Sequence, residues 1–235
     1  MDLLFGTTNA GKLRELRRLV AGLPIRVLSP DDLGRPLPDV EEDGATFAAN
    51  AEKKAAEWAR FAGVHALADD SGLCVDALDG APGVRSARWS DEEPEGLSSP
   101  ACELPGVAAP ELGPVAGRAA RDERNNDKLL RALAAVPDAR RGAEYRAVLA
   151  LAGPDGRVLS SVTGACRGRI GRERRGDGGF GYDPLFVPET YPARTMAELP
   201  PEEKDAISHR GEAFRRLRPV LEALVRALDE TGPKR

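Results

Sequence analysis

Cysteine, histidine, lysine and aromatic side chains are all scarce in this 235-residue chain, and each scarcity removes a class of function. The three cysteines, Cys74, Cys102 and Cys166, are widely spaced and form no C-x-x-C pair, and there are only two histidines. Neither a disulfide framework nor a Cys/His zinc site can be assembled from that set, and a reducing cytoplasm is the expected location. No apolar run approaches the length of a membrane span, and Met1–Lys12 carries no secretory pattern. Lysine is outnumbered by arginine, 6 to 28, yet 38 acidic residues exceed the 34 basic ones and the net charge is −4. That balance argues against a general nucleic-acid binder, and an RNA-binding module would need a one-faced basic stripe where these arginines are scattered among acids.

What is present is enough apolar residue, 41%, to bury a sizeable core in one large unit. Met1–Phe5 and Ile25–Leu28 read as short strands around a helix whose Leu13, Leu16, Leu19 and Val20 share one face. Asp31–Asp43 is loop. Thr46–Ala62 is a second helix, capped by Thr46 and striped by Phe47, Ala51, Ala55, Trp58 and Ala62. His65–Ala68 and Gly72–Leu78 read as two further strands. Asp91–Ala120, with five Pro, four Gly and six Ala and no periodicity, reads as a surface insertion, with a helix resuming near Arg121. Glu144–Ala152 and Arg157–Cys166 pair across the turn Gly153–Gly156. A glycine-rich loop over Gly168–Gly179, a short strand around Tyr182–Val187 and a helix over Gly211–Leu228 complete an α/β pattern with a mixed sheet.

Four segments carry candidate chemistry. Thr7, Thr8, Asn9, Ala10, Gly11 and Lys12 lie between a strand and a helix, where free N–H groups, the helix N-terminus and the Lys12 ammonium form an anion cradle. The segment fails the Walker A pattern at its last position, and taken alone an ordinary βα turn with a surface lysine is the plainer reading. Glu41-Glu42-Asp43 and Asp69-Asp70-Ser71-Gly72 cluster carboxylates that suit a hard cation and a general base; an acidic loop and a turn are the plainer readings. Gly176, Gly178 and Gly181 match G-x-G-x-x-G, but Tyr182-Asp183-Pro184 cannot open a helix there. A loop presenting Phe180 and Tyr182 for stacking and Asp183 for a base edge fits better, with core aromatics as the alternative. Lys204, His209 and Arg210 sit near helix ends, where they can clamp phosphates or a base carbonyl.

Taken in order, these blocks resemble the Ham1/RdgB family of inosine/xanthosine triphosphate pyrophosphatases. The resemblance runs through Thr8–Glu15, Glu41-Glu42 with Thr46-Phe47 and Asn50-Ala51, Ala68–Leu73, Gly80–Val84 with Ser86–Arg88, and Asn126 with Lys128–Leu130. It continues through Gly179–Pro184, Thr195 with Ala197–Leu199, and Glu203-Lys204 with Ile207–Arg210, spanning nearly the whole chain. It implies a single domain over residues 1–235 with an elongated, two-lobed mixed sheet flanked by helices, interrupted by the segment at about 91–120. That segment is longer than the family's usual link between the Ser86–Arg88 block and the Asn126 helix.

The resemblance also implies hydrolysis of ITP, dITP and XTP to the monophosphate and pyrophosphate, a Mg²⁺ requirement and a homodimer. By position, Thr7–Lys12 and Lys54 bind the triphosphate, and Asp70 is proton acceptor and Mg²⁺ ligand with Glu41 as second ligand. Ser71, Phe180, Gly181, Tyr182, Asp183, Lys204, His209 and Arg210 contact the substrate. The chemistry is consistent: phosphoryl-group cleavage needs charge neutralisation and an activated water. A 6-oxo purine is selected by donors aimed at O6, which adenine would leave unpaired. A nucleotide-binding regulatory module without turnover is the reading from another class; it would have no use for a metal-held base.

Overall fold

The computed structural model describes residues 1–92 and 114–231. The chain runs β1 (Asp2–Phe5), α1 (Ala10–Leu19), β2 (Arg26–Leu28), α2 (Phe47–Ala62), β3 (His65–Val75) and α3 (Pro114–Ala132). It continues with β4 (Gly142–Ala152), β5 (Val158–Ile170), β6 (Phe186–Pro188), α4 (Pro201–Ile207) and α5 (His209–Thr231). The strands form one mixed sheet in the order β2-β1-β3-β4-β5-β6, with β1 parallel to β2 and β3 and the remaining pairs antiparallel. Parallel neighbours need crossovers, and α1 and α2 supply them. The first crossover runs from β1 out to β2 and the second returns from β2 past β1 to β3, so right-handed connections in opposite directions place α1 and α2 on opposite faces.

Three core groups follow from that arrangement. Leu16 of α1 and Phe214, Leu217 and Leu221 of α5 cover Leu3, Phe5, Leu67, Leu149 and Leu151 on one face. Ala51, Ala55, Trp58 and Ala59 of α2 cover Leu4, Ala66, Ala68, Val148 and Ala150 on the other. At the far end, Leu129 and Leu133 of α3 join Leu73, Tyr145, Ile170 and Phe186. The central strands β3 and β4 have 11 residues each and β5 has 13. At about 3.3 Å per residue they are long enough to carry one lobe at each end of a shared sheet.

Several sequence-based boundaries move: β5 runs on to Ile170, into the expected glycine-rich loop, and the short strand expected around Tyr182–Val187 is β6 at Phe186–Pro188, after a turn. His65–Ala68 and Gly72–Leu78 are not separate strands: β3 runs unbroken through Asp69, Asp70 and Ser71, which stay paired with Leu149, Val148 and Ala147. The acids do not end the strand because cations from three helices meet them. The third helix begins at Pro114 rather than near Arg121, so the end of the expected insertion is helical. Proline is tolerated there because the first helical N–H has no intrahelical partner anyway. The rest of that segment, residues 93–113, lies outside the described residues. Cys74 and Cys166 are free thiols, and among the described residues no helix is long and apolar enough to cross a membrane.

Candidate active site

The turn from β1 into α1 is shaped by Asn9. Its Oδ1 caps the helix, accepting from the Gly11 N–H at 2.9 Å and the Lys12 N–H at 3.3 Å, while its own N–H donates to Thr7 Oγ1. Its Nδ2 is buried with no protein partner, a donor left for a ligand beside exposed Thr8 and Ala10. Lys12 leaves this turn to pair with Asp69.

Asp69 is the hub of a buried ion network. One oxygen takes Lys12 and the Ser71 hydroxyl (2.8 Å), the other the Arg210 Nε (2.7 Å). Arg210, buried at the first turn of α5, also donates to Ser71 Oγ (3.0 Å) and to Glu15 of α1. Glu15 in turn holds Lys204 (2.9 Å), which donates to Asp183 Oδ2 at 2.6 Å. Charges therefore alternate from Lys12 through Asp69, Arg210, Glu15 and Lys204 to Asp183, joining the β1–α1 turn to the loop after β5. Burial alone would push these carboxyls up, but the cations outweigh it: Asp69 lies well below the usual carboxylate range, and Glu15 is held at about 2. Buried ions persist only when paired in this way.

Asp70 faces the opposite way, toward α2. Its Oδ1 accepts from Lys54 Nζ at 2.8 Å, and Lys54 also donates to the Asp69 carbonyl (3.2 Å) and to Glu42 Oε1 (2.5 Å). Here burial prevails over Lys54 and the Asp70 carboxyl is raised above its ordinary value. Glu42, steadied by Arg88 at 3.3 Å, is the loop acid that reaches Lys54, whereas Glu41 is exposed on the rim of the same cleft. The donor chemistry fits a hard cation: Asp70 and Glu42 offer carboxylate oxygens around one ammonium. Among the described residues no group of three metal-ligating side chains exists, so such an ion would complete its shell with water and phosphate oxygens.

Asp70, Lys12, Lys54 and Glu42 border a cleft of about 1080 Å³. A recess of about 70 Å³ adjoins it through Lys12 and Ser71 and is bounded by Phe180, Lys204, His209 and Arg210. Phe180 lies over the Lys204 ammonium at 4.6 Å, and a Cβ on Gly11 would meet its ring at 2.5 Å, so this position needs glycine. His209 stacks on Tyr145 with centroids 4.7 Å apart. Burial, seconded by Arg210, keeps its imidazole neutral, and its Nδ1 has no protein partner. Tyr182 takes the core alternative: it is buried, its hydroxyl donates to the Ser86 carbonyl at 3.0 Å, and it lies along the wall of the recess.

The structure thus brings Lys12, Lys54, Asp70, Ser71, Phe180, Asp183, Lys204, His209 and Arg210 to one connected site. Sequence reasoning placed Glu42 and Asp69 only within carboxylate clusters and assigned no individual role to Glu15 or Asn50, although Asn50 Nδ2 donates to Asp70 (3.4 Å) and its Oδ1 accepts from the Gly44 N–H (2.8 Å). A carboxylate at position 15, among Leu13, Leu16 and Leu19 on a helix, was the readable sign of a buried ion pair.

A family model described as the Ham1 family matches residues 3–99 and 102–220, breaking only inside the segment expected to be an insertion. A dITP/XTP pyrophosphatase of Anaeromyxobacter dehalogenans is 75% identical over 233 residues, covering 96% of this chain and 99% of that protein. One of Streptomyces coelicolor is 45% identical, with 95% and 98% covered. Among solved structures, a HAM1 protein from Coxiella burnetii superposes with a TM-score of 0.71 at 37% identity, covering 94% of this chain and 98% of that one. The Ham1 protein of Staphylococcus aureus does so with a TM-score of 0.72 at 32% identity, covering 95% and 100%.

Proposed function

The chain belongs to the Ham1 family, and on that premise we propose that it hydrolyses dITP, XTP and ITP between the α- and β-phosphates, releasing the nucleoside monophosphate and pyrophosphate. The observation that carries this reading is the placement of Asp70. A buried carboxylate, raised above its ordinary value, opens on a cleft flanked by Lys12 and Lys54 and continuous with a recess lined by Lys204, His209 and Arg210.

Asp70 accepts the proton of the attacking water; a raised carboxyl is the better base for that step. Lys54 orients it and, with Lys12, balances the charge of the phosphates. Lys12 must exchange its Asp69 partner for a phosphate oxygen, which the flexible ammonium stem allows. The Asn9 Nδ2 donor and the backbone N–H groups of exposed Thr8 and Ala10 receive the remaining oxygens. Mg²⁺ held by Asp70 and Glu42, with Glu41 on the rim, would supply further neutralisation of the triphosphate when bound. In the recess, Lys204, Arg210 and a neutral His209 provide donors for a purine O6, and Phe180 provides a ring face. An adenine amino group there would leave buried donors unpaired.

Pyrophosphate release from dITP, XTP, ITP, GTP and ATP, with and without Mg²⁺, tests the reading. Turnover of the first three and little of ATP is expected; equal rates on ATP would remove the base selectivity, and tight binding without turnover would favour a regulatory module. The homodimer and the cytoplasmic location belong to the same reading, and sedimentation of the purified chain tests the former.

A further inference from the structure

The Gly181 peptide is gripped from both sides by one helix. Its N–H donates to Asp122 Oδ2 at 3.0 Å, and its carbonyl accepts from Asn126 Nδ2 at 2.9 Å. Asp122 and Asn126 are four residues apart on α3, so both side chains leave the same face of the helix. Asn126 is fully buried, and its Oδ1 has no partner, so its amide is committed to this one donation. Gly181 sits in left-handed backbone (φ +63°), with open space where a Cβ would be. A glycine free of crowding is the most mobile link a loop can have, and two side-chain bonds are what restrict it here.

The restricted residue adjoins Phe180. The Phe180 N–H donates to Asp183 Oδ2 at 2.9 Å, and its ring is confined between Gly11 on one side and Lys204 and Arg210, at 4.6 and 5.6 Å, on the other. Rotation of the Gly181 peptide would carry that ring out of line with the recess. Neither α3 residue has a role in the reading of the site given above.

We propose that Asp122 and Asn126 are positioning residues for base recognition: by holding the Gly181 peptide they place the Phe180 ring at the mouth of the recess that takes the purine. This rests on the function proposed above. It makes α3 a third determinant of base binding, beside the loop after β5 and the start of α5.

Steady-state pyrophosphate release from dITP and XTP by the full chain tests it, comparing wild type with Asn126→Ala, Asp122→Ala and Asp122→Asn, each also in a Phe180→Ala background. Either alanine variant is expected to raise KM about tenfold with kcat within about threefold of wild type. Asp122→Asn keeps an acceptor and should return KM to within about threefold. In the Phe180→Ala background the same substitutions should change KM by less than about twofold, since residues acting through one another are not additive. A purely structural role predicts the opposite: full effects that multiply with Phe180→Ala, or a loss of kcat with KM unmoved, and either result overturns the proposal. If Asn126→Ala does not fold, the Asp122 pair carries the same comparison. A wild-type chain inactive on dITP and XTP would overturn the function and this inference with it, whereas an active wild type with unaltered variants overturns the inference alone.

Discussion

Asp69 and Asp70 are consecutive in β3, yet they point to opposite faces of the sheet and are pushed in opposite directions. Asp69 faces α1 and α5, where Arg210 and Lys12 outweigh its burial and keep it ionised. Asp70 faces α2, where burial outweighs Lys54 and raises its carboxyl. The period-2 alternation of a strand thus separates an anchoring carboxylate from a basic one within a single peptide step.

Replacing the base should show this division first. Asp70→Asn keeps the shape and the contact with Asn50 but cannot take a proton. A loss of at least about 10²–10⁴ in kcat is expected. Binding of dITP, followed by calorimetry, should survive; turnover near wild type would take Asp70 out of its assigned role.

The neighbouring substitution should act on stability instead. Asp69→Asn leaves the buried Arg210 and the Lys12 ammonium without their shared counter-ion. Breaking a buried pair from one side costs about 3–5 kcal/mol, which a denaturant titration would detect as a lower midpoint at unchanged slope. A midpoint equal to that of wild type would show that Glu15 and Ser71 suffice to hold Arg210.

Acid should reach the same network through Glu15. Its carboxyl is lowered from an ordinary 4.5 to about 2, because Arg210 and Lys204 prevail over burial. A depressed carboxyl stabilises the fold above its unfolded value, so the contribution is complete above about pH 4.5 and disappears as pH falls through about 2. It amounts to about 3 kcal/mol at most, at 1.36 kcal/mol for each unit of pKa. Melting of wild type and Glu15→Gln between pH 6 and pH 2 should therefore converge toward the acid end; parallel curves would contradict the assignment.

The metal side of the site gives a contrast between neighbours. Glu42 reaches Lys54 whereas Glu41 stays on the rim, so Glu42→Gln should raise the Mg²⁺ concentration needed for half-maximal activity more than Glu41→Gln does. Removing divalent ions with a chelator should stop turnover yet shift the melting temperature of the substrate-free protein by less than about 2 °C. Lys54 already balances both carboxylates, so an ion adds little to the folded state alone. A reversed order of the two variants would move the second ligand to Glu41.

Much of the framework was legible because it depends on near neighbours in the chain. The Thr46 cap, the stripe from Ala51 to Trp58, the Leu16 face of α1 and the hairpin turn at Gly153–Gly156 are all present as observed. The blocks around Asn9, Asp70, Phe180 and Arg210 were legible too, as residue types in a particular order. The string Asp69-Asp70-Ser71-Gly72 was not legible as strand, because acids followed by Ser-Gly favour a turn unless something neutralises them. What neutralises Asp69 includes Arg210, 141 residues away.

That is the division between the two levels. Local spacing determined which segments are helices and strands, which faces are apolar and which residues carry chemistry. Tertiary structure decided that β3 continues through its acids, that Glu42 rather than Glu41 meets Lys54, that Tyr182 is core, and that α3 grips Gly181. Each of these depends on a charge or hydrogen-bond partner supplied by a distant element. A buried ion or peptide takes its conformation from the partner that compensates its desolvation, and no window of neighbouring residues contains that partner.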